Sequence, residues 1–147
     1  MRIVLLVALL AGCSGNWRAS VMRTANVVIA AANSAGELLV KQYCAESMQA
    51  IGRTGTWTLD GDDTGHCVES GPRAGTPATA QEIAALAQVR ARWKPVRQAQ
   101  TDLESAHTVL QTALSPDAVA KAAEAYGAAA LAARSVGIDL PKLQVSQ

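Results

Sequence analysis

Apolar residues recur every three or four positions along three separate stretches of the chain, and each stretch is bounded by residues that start or stop helices. The first covers residues 17–51, where Trp17, Val21, Ala25, Val28, Ala32, Ala35, Leu39 and Tyr43 fall on one face. Asn16 supplies an N-cap and Gly52 a natural stop. Residues 27–40 are apolar enough to suggest a membrane segment, but Asn33, Ser34 and Glu37 interrupt them. The run is also shorter than the roughly 20 residues a spanning helix needs, so it reads as a buried helix.

The second stretch begins near Thr76 or Thr79. Thr76-Pro77 offers a cap followed by proline at the first helical position, and Thr79 with Glu82 matches a capping box. Leu86, Val89, Trp93, Val96, Leu103, Ala106, Leu110 and Ala113 then keep one face to about residue 114. Pro95 lies inside this helix and should kink it, because its ring removes a backbone donor and crowds the preceding turn. Ser115-Pro116-Asp117 ends that helix and caps a third, whose buried face is Val119, Ala122, Tyr126, Ala129, Ala133 and Val136, with Gly137 closing it.

Between the first two helices the periodicity disappears. Residues 52–75 hold six glycines, Pro72 and an Asp cluster, which predicts an irregular connection with at most a short hairpin around residues 56–59. The expected fold is therefore all-α: an antiparallel three-helix bundle with a long Gly-rich, disulfide-tied connection between helices one and two. The helical domain should occupy residues 16–140 and leave residues 141–147 as a tail.

Composition supports helices packed closely rather than a sheet sandwich. The chain has no Phe, three Trp and two Tyr, and its abundant Ala combines the best helix propensity with little buried area per residue.

The chain begins with one basic residue, Arg2, and the apolar run of residues 3–10, a suitable core for a signal peptide over residues 1–12. The run ends in Leu10-Ala11-Gly12-Cys13. This resembles the lipobox of bacterial lipoproteins, in which small residues precede a cysteine that takes diacylglycerol before cleavage frees its amine. The resemblance covers about 14 residues. It implies that Cys13 becomes the lipid-bearing first residue, with residues 13–15 as a short tether and membrane lipid as a permanent partner. Ser14, where an Asp would mark inner-membrane retention, resembles an outer-membrane signal, which places the domain in the cell envelope facing the periplasm. Small prophage-like envelope lipoproteins share this general design. About 135 residues would remain, enough for one domain. Loss of Arg2 leaves 12 basic against 12 acidic side chains, so no nucleic-acid partner is expected.

Cys44 and Cys67 are the thiols left once Cys13 is acylated. A pair in an oxidising exported compartment points to a disulfide. The rivals are two free thiols, or a metal site using His66 and Cys67. Zinc usually takes four ligands at recognisable spacing, and His107 lies on a distant helix, so no metal and no cofactor is expected. Asp60-Gly61-Asp62-Asp63-Thr64-Gly65 is similar to the front half of an EF-hand loop, but Gly71 stands where the bidentate Glu belongs. A solvated turn or weak cation binding remains for that cluster.

Two surfaces are candidates for a partner. Arg90, Lys94 and Arg97 fall at helical spacing beside Trp93, a stripe suited either to an anionic envelope surface or simply to solvent. Trp57 stands in the glycine-rich connection, which is longer than helix linkage requires, and Trp is a frequent interface anchor. Ser105 and His107 are two residues apart on one helix and so point in different directions, which argues against a catalytic pair. The expected function is that of a non-enzymatic, lipid-anchored envelope lipoprotein with a structural or partner-binding role. The alternative is a lipid-tethered inhibitor or exclusion factor acting on one envelope protein.

Overall fold

The computed structural model describes residues 17–59 and 65–144. The signal peptide, lipobox, Cys13, Asn16 and residues 60–63 of the Asp cluster lie outside the described residues. Three helices dominate: α1 (Trp17–Ala50), α2 (Ala80–Thr112) and α3 (Pro116–Arg134).

Their boundaries follow local chemistry. Thr79 caps α2 with its hydroxyl accepting from the Glu82 N–H, while the Glu82 carboxylate accepts from the Thr79 N–H, the reciprocal bonds of a capping box. Ser115 caps α3 with a single bond, its hydroxyl accepting from the Ala118 N–H, and Pro116 takes the position where its missing N–H costs nothing. Helix α2 runs without interruption through Pro95. Helix α3 ends at Arg134, two residues before the last position of the apolar pattern, yet Val136 still packs on the core.

Two clusters define how the helices lie. Val21, Ala25 and Val28 of α1 meet Leu110 at the end of α2 and Ala118, Val119 and Ala122 at the start of α3. Ala32, Ala35 and Leu39 meet Val89, Trp93, Val96 and Leu103 of α2 and Tyr126, Ala129 and Ala133 of α3. Helices α1 and α3 therefore run in one direction and α2 in the other. Ala25, Ala35, Ala122, Ala129 and Ala133 are all 2% exposed or less, so backbones approach closely and the few large side chains fill the remaining space. Trp93, at 1% exposed, is the largest fully buried one.

One expectation needs correction. The fold is not purely all-α, because β1 (Thr54–Leu59) and β2 (Gly65–Ser70) pair as an antiparallel hairpin, with Trp57 opposite Cys67 and Gly55 opposite Glu69. The glycines hid the alternation that makes a strand: Gly55 and Trp57 are half-buried, while Thr54, Thr56 and Thr58 are exposed. Threonine and tryptophan also suit extended backbone. Packing also extends to the end of the described residues. Leu140 is buried, Leu143 packs on both clusters, and the Tyr126 hydroxyl donates to the Pro141 carbonyl at 2.6 Å. Ordered packing thus continues past residue 140, because the end of the chain supplies apolar cover that the Ala-rich α3 lacks.

Candidate functional site

An isolated two-stranded hairpin is marginally stable in water, so this one depends on what fastens it to the helices. Three fastenings are present. The first is covalent: Cys44 of α1 and Cys67 of β2 form a disulfide with their Cα atoms 5.5 Å apart. It closes a loop of 23 residues, and the chain-entropy relation assigns such a loop about 3.4 kcal/mol. The second is close packing. A Cβ on Gly55 would collide with the Met48 side chain, and one on Gly65 would collide with the Trp57 indole. Glycine at the first position lets β1 sit directly on α1. At the second it lets the Trp57 ring lie across the neighbouring strand.

The third fastening is an ion network centred on Arg53, whose side chain is only 3% exposed. Its guanidinium pairs with Glu69 of β2, donates to the Thr76 carbonyl at 3.0 Å, and lies 3.4 Å from the Glu82 carboxylate at the start of α2. Arg73 reaches the other Glu82 oxygen at 2.8 Å. One arginine thereby joins the end of α1, the hairpin, the following loop and the cap of α2. An arginine fork suits this role because it presents several donors in fixed directions. Sequence reasoning missed Arg53 and Glu69, since a charged residue in a glycine-rich segment carries no sign of burial. Glu82 was legible only as half of a capping box.

The electrostatics of this network fix its pH response. The Arg53 guanidinium, then the Gly75 N–H, holds the Glu69 carboxyl below the usual glutamate range. For Glu82 the main cause is the Thr79 backbone N–H, with Arg73 and Arg53 adding to it. Carboxylates depressed in the folded state contribute stability above their unfolded pKa of about 4.3 and lose it as pH falls through the lower folded value. Acidification below about pH 4 is therefore expected to loosen the base of the hairpin. Protection factors from amide exchange on β1, compared at pH 6 and pH 3, would show this, and a Glu69→Gln variant should be less protected at pH 6. Equal protection at both pH values would contradict it.

The candidate partner residues are separated in space. Trp57 is half-buried on the inward face of the hairpin rather than standing free in a loop, and the more exposed apolar residues there are Leu59 and Val68, at 68% and 39%. Arg90, Lys94 and Arg97 are exposed and line a shallow groove on α2 with Gln98 and Thr101. Arg97 also sits over the Tyr43 ring at 5.7 Å, a cation–π contact that gives one member of the stripe a structural partner. The two surfaces do not converge on one site. Among the described residues, no group of three or more His, Cys, Asp or Glu side chains is placed to hold a metal ion. Cys67 is committed to the disulfide. Ser105 is exposed, whereas His107 is half-buried with its Nε2 lacking a hydrogen-bond partner. No helix of the described chain is long and apolar enough to cross a membrane, residues 27–40 included.

Set against family models, curated proteins and solved structures, the chain matches none of them.

Proposed function

We propose that the protein is a non-enzymatic, lipid-anchored lipoprotein of the cell envelope, held by acylated Cys13 and facing the periplasm from the outer membrane, whose hairpin docks a protein partner. The observation that carries this reading is the way the hairpin is held. A linker between two antiparallel helices commonly needs about 2–8 residues, yet this one builds two strands and secures them with a disulfide and a buried arginine. Ordering a surface in advance lowers the entropy lost on binding.

Half-buried Trp57 and exposed Leu59, which alternation puts on one face of β1, supply the apolar contact in this reading, and the Arg90–Lys94–Arg97 stripe is the rival contact. Cross-linking pull-downs from native envelopes separate them by comparing Trp57→Ala with the combined Arg90→Ala/Lys94→Ala/Arg97→Ala variant. Recovery of specific partners is expected to fall at least severalfold for Trp57→Ala alone. Loss confined to the basic-stripe variant would move the contact to α2, and unchanged recovery in both would leave a spacer. The second reading, an inhibitor or exclusion factor acting on one envelope protein, is favoured by the same pre-ordered hairpin. It predicts one dominant cross-linked partner rather than several.

A further inference from the structure

The apolar face of α1 is covered along its length except at its beginning. Trp17 lies on the core-facing stripe, yet it is 48% exposed. Met22 on α1 is 54% exposed, and Leu114, just past the end of α2, is 49% exposed. The packing of Val21 and Ala25 against Leu110 and Val119 places all three residues at the same end of the bundle. Among the described residues of the first turns of α1 and α3, Arg18, Arg23 and Lys121 stand with Asp117, and the Arg18 guanidinium lies 5.6 Å from the Trp17 ring centre. Residues 105–116 of the neighbouring segment contain no Asp, Glu, Lys or Arg. This end is thus apolar, aromatic and net basic.

We infer that this end of the bundle is a membrane-contact surface, seated on the anionic lipid leaflet that carries the acyl group of Cys13. The inference rests on the lipid-anchor reading and adds an orientation to it. Only residues 14–16 separate Cys13 from the first described helical residue, Trp17. Four residue steps span at most about 14 Å, so a lipid on Cys13 holds Trp17 at the headgroup level. Tryptophan favours that level because its ring is apolar and its N–H is polar, and basic side chains beside it are attracted to anionic headgroups. Cys44, which holds the hairpin, lies about 40 Å further along α1 at 1.5 Å per residue. The helix therefore carries Trp57 away from the bilayer while the opposite end rests on it.

The test uses the acylated full-length product reconstituted in vesicles of phosphatidylcholine with 30% phosphatidylglycerol, a composition chosen to be roughly as anionic as a charged leaflet, with brominated acyl chains as the fluorescence quencher. Mass measurement of the N-terminal peptide first establishes whether Cys13 is acylated. Bromolipid should quench the wild-type protein and Trp57→Phe alike, and the quenching should be lost in Trp17→Phe. Arg18→Glu/Arg23→Glu should weaken it. An acylated chain without Trp17-dependent quenching, or one whose quenching depends on Trp57, would overturn the orientation while leaving the anchor intact. Trp17 shielded from acrylamide only as protein concentration rises in detergent would assign the face to a second copy and also overturn it. Absence of acylation would remove the anchor and the inference together.

Discussion

Cys13→Ala is expected to abolish incorporation of a palmitate analogue and to shift the protein from the membrane pellet to the soluble fraction. The expectation starts from the run of residues 3–10 and the Leu10-Ala11-Gly12-Cys13 motif, where the thiol is the one group that can accept diacylglycerol. The magnitude is set by chain burial. At about 0.8 kcal/mol per methylene, even ten methylenes in each of two chains contribute on the order of 16 kcal/mol, whereas a single short chain binds marginally. No described helix is long and apolar enough to cross a bilayer in its place. Metabolic labelling and fractionation of wild type and variant in a lipoprotein-processing host provide the check. Equal absence of label from both proteins would refute the lipid anchor.

Trp93→Ala is expected to be the most damaging substitution in the bundle. Trp93 is 1% exposed and meets the Tyr43 ring edge-on, with ring centres 5.3 Å apart. Its indole N–H donates to Glu46 at 2.8 Å, and the same carboxylate pairs with Arg92. Truncation would open a cavity at the centre of the larger core cluster and would take a donor from a largely buried glutamate. Large aromatic-to-alanine changes cost about 3–5 kcal/mol, against total stabilities of roughly 5–15 kcal/mol. For a domain of this size that corresponds to a Tm lowered by roughly 10–20 °C. Trp93→Phe keeps much of the volume and loses the charged hydrogen bond, so a smaller fall of about 1.5–3 kcal/mol is expected. Thermal unfolding followed by circular dichroism distinguishes the two. Equal destabilisation by both variants would mean that the Glu46 bond, not the filled volume, dominates.

How much of this was legible beforehand depended on the range of each interaction. Thr79 with Glu82 and Ser115 with Pro116 act within three residues, so their caps could be read directly and are found where expected. The stripe Val21–Leu39 could be read because helical periodicity repeats many times over 34 residues. The six-residue strands offered too few alternations for period two to stand out, and Gly55 and Gly65 left gaps in what alternation there was. The Cys44–Cys67 pairing was legible by counting thiols. Its consequence, a hairpin laid on α1 with Trp57 turned inward, was not. Arg53 was invisible for the same reason, since its partners lie 16 and 29 residues away.

The sequence by itself determined the helices, the caps of α2 and α3 and the choice of thiols, because each depends on residues close together along the chain or on simple pairing. Tertiary structure decided which stripe positions are covered. Trp17 belongs to the same face as Val21 and Ala25, yet it is 48% exposed, whereas those two are buried against Leu110, Ala118 and Val119. It also decided that Leu143 joins the core and that Arg53 is buried against Glu69 and Glu82. Burial is a property of what arrives from elsewhere in the chain, and local pattern can indicate only which residues are fit for it.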